Sequence, residues 1–142
     1  MLRIALVSLL VLLAQPATAR ETMPGPVTAT VEKVIDGDTL VVRAAVWPGH
    51  SVRVSVRLRG IDAPEMKSRC ATERAAARRA KEALAALVGK NPVVLTVITG
   101  DKYFGRVLAD VAASTGMPLA ESMLGRKLVR PYRGGRRTAY CR

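Results

Sequence analysis

Apolar positions along this chain recur with two periods, and the change from one to the other divides it into elements. Val27 to Ile35 (VTATVEKVI) is rich in β-branched residues and alternates, as a half-buried strand does. Asp36-Gly37 then gives a strong hairpin signal, and Thr39 to Val46 (TLVVRAAV) reads as the return strand. A turn at Trp47–His50 leads into a third strand, Ser51 to Arg59. Val52, Val54, Val56 and Leu58 line one face of it, and Arg53, Ser55, Arg57 and Arg59 line the other as a basic stripe. Gly60 lets the backbone bend and Pro64 stops the ladder, so the acids Asp62 and Glu65 fall just beyond the strand end.

The period then lengthens. Thr72 to Val88 (TERAAARRAKEALAALV) has helical composition, with Thr72 as N-cap and Gly89 as the C-terminal stop. Its expected apolar face is Ala76, Ala80, Ala83, Leu84, Leu87 and Val88. Strands are predicted at Pro92–Ile98 and Arg106–Ala112, and a short helix, interrupted by Gly125, at Pro118–Arg126. A basic tail runs from Leu128 to Arg142. Three strands, a helix, two strands and a short helix suit an α+β, mainly β, architecture. That is a small closed barrel with helices outside, of which the OB fold is one type.

Length and charge narrow the partners. At 142 residues the chain is one domain. Met1 to Ala19 has one basic residue, Arg3, then the apolar run Ile4–Ala14, Pro16 and a small-x-small end. This predicts a signal peptide cleaved after Ala19 and a secreted or periplasmic product, because the run is short of the ~20 residues a membrane span needs. Residues 20–26 read as a leader, and 27–142 as the domain. With 23 basic and 11 acidic residues the chain carries +12, and loss of Arg3 lowers this to +11. Such an excess attracts polyanions, nucleic acid first among them. An envelope polymer or an anionic membrane surface satisfies charge alone equally well. Cys70 and Cys141 are the only cysteines, and an even number in an oxidising compartment suggests one disulfide, worth about 4 kcal/mol in the chain-entropy model. The single histidine, His50, lies in a turn, so Ser-His-Asp and Cys-His catalysis lack support.

The candidate chemistry lies at strand ends. Asp36-Gly37-Asp38-Thr39, then Asp62 and Glu65, then Asp101-Lys102-Tyr103-Phe104-Gly105-Arg106 bring acids and arginines into turns. Each alone is explained by turn chemistry. Together, VIDGDTL, VRLRGIDAPE and DKYFGRVLADV occur in an order and spacing that resemble the staphylococcal-nuclease-like (thermonuclease) family over about residues 27–132.

The resemblance implies an OB-fold barrel and Ca²⁺-dependent cleavage of DNA and RNA to 3′-phosphate ends, with single strands preferred and a monomeric protein. It implies metal ligation by Asp38, Asp62 and the backbone carbonyl of Ala63. It gives Glu65 the role of general base or water-positioning residue, and Arg57 and Arg106 that of phosphate binders. Hard oxygen donors suit Ca²⁺, and arginine forks suit phosphate. Tyr103 and Tyr132 are the aromatics available to stack on a base. Two features depart from the pattern. Phe104 adds a residue to the usual Tyr-Gly-Arg before Arg106, and the long C-terminal helix of the staphylococcal enzyme is absent. The alternatives are a non-catalytic OB module that binds nucleic acid or another polyanion at the cell envelope, and a basic structural protein whose acids are only turns.

Overall fold

The computed structural model describes residues 21–141, so the expected signal peptide lies outside the described residues. The strands are β1 (Thr22–Met23), β2 (Val27–Val34), β3 (Thr39–Trp47), β4 (His50–Leu58) and β5 (Ile61–Asp62), followed by helix α1 (Ala71–Val88). After the helix come β6 (Val93–Gly100), β7 (Arg106–Ala113), α2 (Leu119–Gly125) and β8 (Arg130–Pro131). Residues 22 and 23, expected in a leader, instead add β1 to β6.

Strands β2, β3 and β4 form an antiparallel meander. Strand β6 pairs with β2 on one side and β7 on the other, and β7 closes the circle by running parallel to β4. The result is the closed five-stranded barrel expected, with its edges removed by closure. Alternation decides what enters it. Leu40, Val42, Val56, Leu58, Leu95 and Val111 are buried inside, and the intervening Arg57 and Arg106 are left on the outer face. The apolar face of β4 is not uniform: Val56 and Leu58 are buried, whereas Val52 near the hairpin tip is 48% exposed.

Helix α1 buries Ala80, Leu84 and Val88 against the same core, and Ala77, rather than the expected Ala76, is its fourth buried residue. Its N-cap is Cys70 rather than Thr72, with the sulfur accepting from the Glu73 N–H at 3.4 Å. Gly89 ends it as expected, at φ 59° and with its N–H bonded to the Ala85 carbonyl. Helix α2 buries Leu119 and Met123 and contacts α1 and β7.

Two packing contacts tie this frame to the acidic turns. Gly37 sits in the β2–β3 turn with no room for a side chain: an added Cβ would meet the Ala80 Cβ at 2.6 Å and the Ala63 Cβ at 3.0 Å. The turn is therefore pressed between α1 and the loop after β5. Overpacking of such a contact typically costs 1–3 kcal/mol. Gly37→Ala should lower stability by about 2 kcal/mol in urea unfolding, and an unchanged midpoint would show that turn and helix do not press on one another.

Candidate active site

Register across β3 and β4 sets the centre of the site. Thr39 lies opposite Arg57, which brings the neighbouring Asp38 beside the Arg57 guanidinium. Arg57 Nη1 donates to Asp38 Oδ2 at 2.9 Å, and Nη2 donates to the Ile61 carbonyl at 3.0 Å and to Asp62 Oδ1 at 3.4 Å. Both carboxylates are nearly fully buried, Asp38 at 3% and Asp62 at 4% exposed. Burial of an unpaired charge is costly, and a broken buried pair typically loses 3–5 kcal/mol, so the three side chains hold their positions together. Asp38 is further fixed by the Ala63 N–H at 2.8 Å on Oδ2 and by the Thr39 hydroxyl at 2.8 Å on Oδ1.

Asp38, Arg57, Ala63, Glu65 and Arg106 line one cleft of about 810 Å³, together with Asp36, whereas Asp62 lines a smaller pocket beside the C-terminal segment. With Phe104 present, Arg106 lines the cleft. The extra residue is taken up in the β6–β7 turn, closed by the Asp101 N–H on the Arg106 carbonyl at 3.2 Å, and its ring is turned fully into solvent. Arg106 thus pairs in register with Ser55 of β4, two positions from Arg57 on the same face. Its Nε bonds Asp101, and its guanidinium lies 4.5 Å from the Tyr103 ring centre. Partial burial of the Asp101 carboxyl opposes ionisation, but the Arg106 bond, the Lys102 N–H and the charges of Arg106 and Arg57 together hold its pKa below the ordinary value. Of the basic stripe on β4, only Arg57 enters the acid cluster. Arg53 pairs with Glu32, and Arg59 stitches β6 to β7 through Thr99 and the Leu108 carbonyl.

Glu65 is set by groups that the pattern of strands did not reveal. Its backbone N–H donates to Glu73 Oε1 at 3.0 Å, which anchors the loop to the first turn of α1. The Ser68 hydroxyl, followed by this N–H, holds the Glu73 pKa below its ordinary value. The Glu65 side chain bonds Arg137 of the C-terminal segment. The same guanidinium reaches Asp62 Oδ1 at 2.8 Å through Nε and the Ala63 carbonyl at 3.0 Å through Nη2. Tyr140 donates to the Asp62 carbonyl at 2.8 Å. Burial, then the Asp62 charge, push its phenol up to about 12. The Cys70–Cys141 disulfide is formed. It closes the tail over the loop after β5, a geometry that the cysteine pair alone could have signalled.

The Asp38 and Asp62 carboxylates and the Ala63 carbonyl are hard oxygen donors, the type that Ca²⁺ prefers. Among the described residues no group of three or more His, Cys, Asp or Glu side chains is placed to hold a metal ion. The surroundings already resist another negative charge: burial, then the Asp38 charge, push the Asp36 carboxyl up to about 6.

A family model described as staphylococcal nuclease homologue matches residues 55–136, more than half of the chain. The chain belongs to the staphylococcal nuclease homologue family. A comparison with curated proteins found no match. The matched stretch holds Arg57, Asp62, Glu65 and Arg106, while Asp38 precedes it and Arg137 follows it directly. The closed OB-type barrel agrees with that family, whose domain suggests a nuclease or nucleic-acid-binding role.

The raised Asp36 pKa has a stability consequence in the metal-free protein. Between about pH 4 and 6 the native state binds more protons than the unfolded chain, so stability falls as pH rises through that window. Asp36→Asn removes this penalty and keeps an oxygen for the Asp38 N–H. We expect a gain of about 1–2 kcal/mol at pH 7, allowing for partial solvation, and none at pH 3.5, read by urea unfolding in chelator. A gain of the same size at both pH values would remove titration as its cause.

Proposed function

We propose that the protein is an exported Ca²⁺-dependent nuclease that hydrolyses phosphodiester bonds of DNA and RNA, single strands preferentially, and leaves 3′-phosphate ends. The observation that carries this reading is a cleft lined by buried Asp38, exposed Glu65 and two arginines, with a second buried carboxylate, Asp62, bonded to Arg57 beside it. A binding module needs the basic surface but has no use for two buried aspartates held on one arginine beside that cleft.

Asp38, Asp62 and the Ala63 carbonyl would hold Ca²⁺. Bound there, the ion would polarise a phosphate oxygen as a Lewis acid. Glu65, at the rim, accepts a proton from the attacking water or orients it toward phosphorus. Arg57 spends three contacts on Asp38, the Ile61 carbonyl and Asp62, and a guanidinium has five N–H donors, so donors remain for a phosphate oxygen. Arg106 uses Nε on Asp101, which leaves its Nη nitrogens for the same task. Their charge stabilises the negative charge that grows on the phosphoryl oxygens. Tyr103 and Tyr132 flank the cleft as stacking surfaces. The disulfide suits an oxidising compartment, in keeping with export, and no helix among the described residues is long and apolar enough to cross a membrane.

Cleavage of single-stranded DNA, measured with Ca²⁺ and with chelator, tests the reading. Wild type should cut only with Ca²⁺, and Asp38→Ala should not cut. Glu65→Gln should retain DNA binding while losing turnover by about 10²–10⁴-fold. Metal-independent binding without cleavage by the wild type would make the protein a basic binding module instead.

A further inference from the structure

Arg137 touches three of the four groups that the preceding reading assigns to the cation and the attacking water, all but Asp38. Its Nε bonds Asp62 Oδ1, its Nη2 bonds the Ala63 carbonyl, and its Nη1 bonds Glu65. A guanidinium and a metal ion are both positive and both need these oxygens. They cannot be served by them together. Deprotonation offers no way out, because an arginine in a protein keeps its proton. Burial opposes the charge here, but the bonds to Asp62 and Glu65 outweigh it and raise the pKa further.

The segment that carries Arg137 is held at both ends. Strand β8 pairs with β5, Asp62 lying opposite Arg130, and the Tyr132 N–H donates to the Gly60 carbonyl at 2.9 Å. Beyond the Gly134-Gly135 turn, Arg130 Nη1 donates to the Ala139 carbonyl at 3.0 Å and its guanidinium lies 3.8 Å from the Tyr140 ring centre. Cys141 is bonded to Cys70, five residues after Glu65. Between these anchors the Arg137 side chain is 42% exposed, so it can leave its oxygens toward solvent without disturbing the barrel.

We propose that Arg137 is a built-in cation that competes with the metal for Asp62, the Ala63 carbonyl and Glu65, and that the Cys70–Cys141 bond keeps it at high effective concentration over the site. This rests on the reading of the site as a Ca²⁺ centre. Loading the site then requires the guanidinium to swing out, and by linkage the metal loosens the tail as much as the tail weakens the metal. A short closed loop makes this competition intramolecular, which is why one arginine suffices.

The test is calorimetric titration of CaCl₂ into the oxidised, mature protein, without nucleic acid. Arg137→Gln should bind Ca²⁺ at least about tenfold more tightly than wild type. Cys70→Ser/Cys141→Ser should bind it more tightly by a smaller factor, and Arg136→Gln should match wild type. Equal or weaker binding by Arg137→Gln, with Ca²⁺ still bound, overturns the competition and leaves the metal site standing. No binding by any variant overturns the metal site as well. A second readout needs no variant. Saturating Ca²⁺ should speed tryptic cleavage after Arg136 and Arg137 in the wild type, and unchanged protection under saturation overturns the proposal.

Discussion

Everything at the mouth of this barrel depends on Arg57 standing between Asp38 and Asp62. Two carboxylates that are almost fully buried cannot sit close together in a medium of low polarity without a compensating charge. Arg57 supplies it from the opposite strand, and in doing so fastens the β2–β3 turn to the loop after β4. The Ala63 N–H on Asp38 and the Ile61 carbonyl on Arg57 extend the link to the backbone on each side of Asp62. The acids are thereby fixed in place, at a cost in stability that the cluster records in the raised pKa of Asp36.

The barrel itself was legible because its strands alternate, its helix does not, and Gly60, Pro64 and Gly89 punctuate them with little ambiguity. Closure was less so. Nothing in the alternation of β7 says that it runs parallel to β4, yet that pairing puts Arg106 level with Ser55 and on the face of Arg57. The helix face was misjudged by one position, Ala76 for Ala77, because in an alanine-rich stretch the apolar stripe has no sharp edge. The N-cap was assigned to Thr72 on hydroxyl chemistry. The disulfide places Cys70 there instead, and its sulfur takes the Glu73 N–H.

At the site, the residues at strand ends could be picked out because acids and arginines beside a turn are chemically conspicuous. Those supplied by the tail could not. Arg137 is one of several arginines in a basic stretch, indistinguishable by type from Arg133 and Arg136. Its role comes from a long-range constraint, the bond between cysteines 71 residues apart, together with the β5–β8 pairing that starts the tail in the right direction. Glu73 was likewise hidden, since its contact with the Glu65 backbone depends on how the loop folds back onto the helix start.

The two arginines on Asp62 differ in kind, and the difference bears on how the site works. Arg57 projects from near the end of barrel strand β4, has a side chain only 16% exposed, and shares its charge between two aspartates. Its removal would leave buried charge uncompensated, so it belongs to the fixed frame. Arg137 comes from an irregular segment, is considerably more exposed, and makes all its site contacts through one rotatable side chain. Asp62 therefore keeps one permanent counter-charge and has one exchangeable partner. A protein this basic draws polyanions to its whole surface, and selectivity for chemistry over mere adsorption must come from the few places where negative charge is concentrated and its partner can be exchanged. The mouth of the barrel meets both conditions at Asp62.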